Sequence, residues 1–234
     1  MIEIIPSINA LTWDEAQLKL KAILGATEWV EIDVCDGVFT PSATWNTPLD
    51  LKTMELGQMK IAAHLMVRHP EAIIGEWIQA GVRRIIIQWD ALAPRGLAWY
   101  FQGWRARRRI RKIADQCRQN WVEFGLSLGQ QSRLRQVGKL LELCSVVQVL
   151  AGRPGPARQA FDQTSLERLR ELVFLRQAKQ LGFKTEWDIG VNPDTIEAIK
   201  QSGADIAAST SFVFNSANPV LALEYLNKNA IGLV

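Results

Sequence analysis

Eight short β-rich apolar runs recur along the chain, separated by longer amphipathic stretches, and this alternation limits the fold more than any other feature. The runs fall at about residues 2–6 (IEIIP), 29–34 (WVEIDV), 60–65 (KIAAHL), 84–89 (RIIIQW), 121–128 (WVEFGLSL), 145–150 (SVVQVL), 183–188 (FKTEWD) and 205–208 (DIAA). Over 234 residues that is one run per about 29 residues, the size of a βα unit. Such alternation demands a parallel sheet, and eight units close naturally into a ring. The expected fold class is α/β, a single (β/α)8 TIM barrel spanning residues 1–234 as one domain. A doubly wound open sheet stays as the alternative, because periodicity does not show closure. Helix ends fit the pattern. Thr12 can cap a helix whose first turn carries Asp14 and Glu15, and Gly81, Gly182 and Gly203 are expected to supply left-handed caps before new strands.

Hydrophobic residues make up 48% and charged residues 22%, enough to bury a sizeable core. The net charge of +3 does not by itself argue for a nucleic-acid or membrane partner. The basic run Trp104–Lys112 falls in the helical stretch after run four, where a solvated outer face is the default, so nucleic-acid binding is not expected. No segment approaches the ~18 apolar residues of a membrane span, and MIEIIPSINA lacks the basic and apolar regions of a secretory signal. Cys35, Cys117 and Cys144 are odd in number, widely spaced and without a CxxC pair, which favours a reducing cytoplasm over a disulfide framework. The nine tryptophans read as packing residues. Apolar residues of the first helices and exposed tryptophans could serve a homo-oligomer interface.

In a barrel, chemistry sits at the carboxyl ends of the strands. Run two ends Glu31-Ile32-Asp33-Val34-Cys35-Asp36-Gly37, and the two-residue alternation of a strand puts Glu31 and Asp33 on one side. Run three ends with His64 and run seven with Asp188. One imidazole and three carboxylates suit Zn²⁺, Fe²⁺, Mn²⁺ or Co²⁺. Bland roles compete: Asp36 before Gly37 is equally a turn former, and a lone histidine is more often a hydrogen-bonded core residue than a ligand.

IIPSINA, VEIDVCDGVFTPSATWNTP, IAAHLMVRHPE, LAGRPGPARQAF and EWDIGVNPDTIEAIKQSGADIAAST, taken in order from Ile4 to about Phe214, resemble the successive motifs of the ribulose-phosphate 3-epimerase family. The resemblance implies a (β/α)8 barrel that interconverts ketopentose 5-phosphates at C3, with a sugar phosphate as partner. It implies that Asp33 and Asp188 are acid/base groups as well as metal ligands, and that His64 is a further ligand. It also implies that Ser7 contacts substrate and that Met66 packs near the reacting carbons. The chemistry asks for such a set. A proton beside a ketone is too weakly acidic for a carboxylate alone, a cation stabilises the enediolate, and two carboxyls on opposite faces remove and return the proton.

The chain departs from the family at four places. Glu31 stands where histidine is usual, which adds charge, hardens the site and shifts the expected metal towards Mn²⁺ or Mg²⁺. The other three departures fall on the phosphate grip. The loop from Gly152 to Gln159 carries Pro154 and Pro156, Ile189-Gly190 replaces a glycine pair, and Ser209-Thr210 replaces glycine-serine. Gly155, Gly190, Ser209 and Thr210 remain the substrate-binding candidates, with Arg153 or Arg158 able to hold a phosphate by its side chain. Two alternatives stay open: an epimerase or isomerase of a different or non-phosphorylated sugar, and an inactive ligand-binding homologue.

Overall fold

In the computed structural model, residues 2–93, 98–155 and 159–231 are described, the side chains of 98–101 and 231 excepted. Eight parallel strands form a closed ring in chain order, β1 (Glu3–Ile8), β2 (Trp29–Cys35), β3 (Lys60–Met66), β4 (Arg84–Gln88), β5 (Glu123–Leu128), β6 (Val146–Leu150), β7 (Lys184–Asp188) and β8 (Ile206–Ser209). The ring shuts where β8 pairs with β1, from Glu3 opposite Ile206 to Pro6 opposite Ser209. This rules out the open sheet.

The crossovers carry α1 (Trp13–Ala22), α2 (Pro70–Gln79), α3 (Trp89–Leu92), α4 (Ala98–Gln119), α5 (Leu134–Val137), α6 (Ser165–Ala178) and α7 (Ile196–Gln201), and α8 (Ser211–Phe214) and α9 (Pro219–Ile231) follow β8. Between β2 and β3 the link is only a 3₁₀ turn, Pro48–Thr53, because proline opens it and the preceding chain is rich in turn formers. Thr12 caps α1 as expected, its hydroxyl accepting from the Glu15 N–H at 3.3 Å. Gly81 and Gly203 take the left-handed conformation (both φ 94°), but after α6 that role falls to Gln180 (φ 53°) rather than Gly182.

Strand alternation separates two cores. Outward-facing residues such as Ile4, Ile8, Val30, Ile32, Leu65 and Trp187 pack under the helices. Ile5, Trp29, Ala62, Val146 and Ile206 pack with one another inside the ring near its amino end. Above this inner plug the same inward positions turn polar: Ser7, Glu31, His64, Gln88, Ser127, Gln148 and Glu186 are each at most 1% exposed. Polar residues at positions that could have been apolar mark this end of the ring. Among the described residues, no helix is long and apolar enough to cross a membrane.

Candidate functional site

The polar layer is built by register. Ser7 lies beside Glu31, Asp33 beside His64, and Leu150 beside Asp188. One donor atom from each of Glu31, Asp33, His64 and Asp188 falls within 4.8 Å of all the others. All four side chains are buried. Two donors on a shared cation stand at most roughly 4.2 Å apart, so a small contraction lets this set hold one.

The electrostatics point the same way. Burial first, then the carboxylates of Glu186, Asp33 and Asp188, hold Glu31 well above the usual carboxylate range. Asp188 is pushed up to about 8, by burial and then by Asp33, while His64 pulls it partly back. Burial works against protonation of His64, yet its hydrogen bond and charge contact with Asp33 outweigh that, and its pKa is raised. Ionising all three carboxyl groups together would leave more negative charge than one imidazole can balance. A divalent cation fits its chemistry.

Each member is braced. The Ser7 hydroxyl donates to Asp33 Oδ2 at 3.1 Å. Thr44 stitches the end of β2, its hydroxyl donating to the Asp33 carbonyl and accepting from the Cys35 N–H, both at 2.9 Å. Gln148 Nε2 donates to both oxygens of Glu31, at 3.1 and 3.3 Å, and to Glu186 Oε1 at 2.9 Å. His64 lies between Asp33 Oδ1 (3.3 Å from Nδ1) and Gln88 Oε1 (3.0 Å from Nε2). Asp36 is a turn former, since its carboxylate accepts from the N–H groups of Val38, Phe39 and Arg68 at 2.7–2.8 Å.

Above the cluster lies a cleft of about 510 Å³, its open mouth included, with Asp33, Met66, Asp188, Arg153 and Gly190 in its wall. Gly155 and Thr210 also line it, whereas Ser7 and Ser209 do not. The Ser209 hydroxyl is turned to the Val191 carbonyl at 3.0 Å. Arg158 lies outside the described residues. Asn9 reaches across from the end of β1 to the Gly155 carbonyl at 3.2 Å.

The turn after β7 is tight. Ile189 takes φ 88°, a conformation that costs a β-branched residue on the order of 1–3 kcal/mol, and the Trp187 indole N–H holds its carbonyl at 2.8 Å. Gly190 follows at φ 73°, where a Cβ would come within 2.7 Å of the Phe161 backbone. Across the cleft, the Arg153 N–H is taken by Gln159 Oε1 at 2.8 Å, so that backbone donor is not free for an anion.

Sequence reasoning passed over Gln88, Asp90, Gln148 and Glu186. Glu186 could have been found, because it lies two residues before Asp188 on the same side of its strand.

The description "Ribulose-phosphate 3 epimerase family" belongs to the family model that matches residues 3–214. Among curated proteins, ribulose-phosphate 3-epimerase of Mycobacterium leprae is 25% identical over 232 residues, covering 97% of this chain and 94% of that protein. The Chlamydia muridarum protein of the same name is 25% identical over 190 residues, covering 79% and 75%. Among solved structures, 3-hexulose-6-phosphate synthase from Salmonella typhimurium superposes with a TM-score of 0.70 at 13% identity, over 99% of each chain, a likeness of fold.

Proposed function

Because this chain belongs to the ribulose-phosphate 3-epimerase family and is an isomerase acting on carbohydrates, we propose that it interconverts ketopentose 5-phosphates of the ribulose and xylulose type by inverting C3. The observation that carries this reading is the meeting of Asp33 and Asp188, from strands far apart in sequence, at the floor of one cleft.

Inversion needs one carboxyl to remove the C3 proton and another to deliver a proton to the opposite face. Asp188, at the end of β7 in the wall of the cleft, is the carboxyl that gives the proton. Asp33, whose Oδ2 accepts the Ser7 hydroxyl, is the partner that takes one. In the return direction the two exchange roles. Glu31, Asp33, His64 and Asp188 would hold a divalent cation, and its charge would draw electron density from the substrate carbonyl and ease loss of the neighbouring proton by several kcal/mol. Three carboxylates and one imidazole favour Mn²⁺ or Fe²⁺ over Zn²⁺. Met66 offers an apolar wall to the reacting carbons.

At the far side of the cleft, the Arg153 guanidinium serves the phosphate in place of backbone donors. A second reading, a sugar without phosphate, draws support from the Ile189 side chain and the occupied Arg153 N–H in that region. The three cysteines are free and buried, which suits a reducing cytoplasm.

The test is proton exchange at C3 in D2O, with ribulose 5-phosphate and ribulose each offered with Mn²⁺, Fe²⁺, Co²⁺ or Zn²⁺. Exchange and epimerisation of the phosphate ester are expected with at least one cation. Activity on ribulose alone would favour the second reading, and inertness under every condition would overturn both.

A further inference from the structure

We propose that Gln88 and Asp90 are positioning residues that fix His64 as its Nε2–H tautomer and turn the Nδ1 lone pair towards Asp33. The purpose assigned to this relay rests on the reading of Glu31, Asp33, His64 and Asp188 as a cation site.

The sense of the hydrogen-bond chain is set by a group whose role cannot change. The Gly129 backbone N–H can only donate, and it meets Asp90 Oδ2 at 2.8 Å. The Ser132 hydroxyl lies 2.8 Å from both Asp90 oxygens, so this carboxylate is held in one orientation. The same Oδ2 lies 2.9 Å from the Gln88 amide. A carboxylate oxygen that already accepts from a backbone N–H must accept again, so Gln88 presents its NH₂ to Asp90 and its carbonyl oxygen to the other side.

That carbonyl oxygen lies 3.0 Å from His64 Nε2. A carbonyl accepts, so Nε2 carries the proton. As an imidazolium the ring donates from both nitrogens, Nδ1 to Asp33 Oδ1 at 3.3 Å; once neutral it has one N–H, and with Nε2 holding it Nδ1 is the nitrogen left bare on the side of the cluster. Gln88 and His64 are wholly buried. Gly129 is part of the device, because a Cβ there would fall 2.5 Å from Asp90 Oδ2. The direction of a donor in the loop after β5 thus reaches the ring on β3 through two side chains of the β4 end. Metal-bound histidines are oriented by such outer hydrogen bonds, whose loss typically lowers affinity 10- to 100-fold.

The test reads the tautomer first and the metal second. The chain has two histidines, His64 and His69, so ¹⁵N imidazole spectra of the metal-free protein at a pH of about 9 resolve them, with His69→Gln to assign the pair. The Nε2–H form is expected in the unaltered chain. In Gln88→Met the sole acceptor left to the ring is Asp33, and the spectrum is expected to turn to the Nδ1–H form. Gln88→Glu, which still accepts from Nε2, is expected to keep the original form. Asp90→Ala frees the Gln88 amide to turn over and is expected to give a mixture, which provides a reading should Gln88→Met fail to fold.

Titration with Co²⁺ is expected to show affinity lowered roughly 10- to 100-fold in Gln88→Met and held in Gln88→Glu. An Nδ1–H form in the unaltered protein, or an unchanged tautomer in both Gln88→Met and Asp90→Ala, would overturn the proposal. Absence of Co²⁺ binding in a protein whose tautomer follows these expectations would sink the cation reading and leave the relay standing.

Discussion

The two ends of this barrel handle charge in opposite ways. At the amino end, unlike charges are set in contact: Lys184 with Glu3 at 3.3 Å, Lys60 with Glu28 at 2.5 Å, and Arg84 with Glu123 at 2.8 Å. Arg84 is also stacked on the Trp29 ring, 4.0 Å from its centroid. At the carboxyl end, like charges are gathered, buried and left with one imidazole among them. Each arrangement has its own meaning. Paired charges at the first end contribute locally to folding and need nothing further. The second end sets buried acidic groups against one another, as expected where stability has been given up for chemistry.

The sharpest way to break this contrast is Asp188→Asn. Turnover and C3 exchange are expected to fall on the order of 10²- to 10⁴-fold, while the metal-free protein keeps its melting temperature near neutral pH and raises it above a pH of about 8, where a buried charge has gone. A large drop in melting temperature would put Asp188 in the same class as the amino-end pairs.

Next in size is the response to pH. The folded-state pKa of Asp188 is raised from 3.8 to about 8, so its contribution is complete below the lower value and is lost as pH rises through the higher one. His64 is raised as well, and its contribution likewise disappears as pH climbs past its folded value. Metal-free protein should therefore lose stability, by a few kcal/mol at most, between pH values of about 5 and 8 relative to Asp188→Asn. Saturating Mn²⁺ should flatten the difference. Denaturant midpoints at each pH provide the check, and a rising midpoint would reverse the assignment.

The smallest effects belong to the amino end. Arg84→Ala should cost about 2 kcal/mol through lost packing on Trp29 and lost pairing, and Lys184→Ala only a few tenths, with kcat unchanged in both. A change in kcat would show that this end communicates with the cleft.

The ring was legible because strand-length apolar runs at βα spacing have few other solutions, and the observed strands begin and end within two residues of the runs. The convergence of Asp33, His64 and Asp188 was legible only as strand-end chemistry joined to a family resemblance, since nothing in spacing shows that a sheet closes. Glu186 and Gln148 obey the alternation that drew notice to Glu31 and Asp33, and they were missed because a polar residue below the mouth of a barrel has no motif. Asp90 and Ser132 were beyond reach, since they belong to the segments after β4 and β5 that meet only in three dimensions. Gly182 misled for a related reason: a glycine near a helix end suits the left-handed cap, but the chain turned two residues earlier, at Gln180.

The pairing of β8 with β1 also has a consequence for how the protein is born. Asp33 and His64 leave the ribosome early, but Asp188 follows more than a hundred residues later, and the ring that aims all three cannot shut until Ser209 is free to lie beside Pro6. A nascent chain therefore has no complete ion cage to offer, and its first half must fold without help from a bound ion. On the proposed reading, loading is a late event in the life of each copy, and a cell short of the right ion would accumulate finished barrels rather than stalled ones.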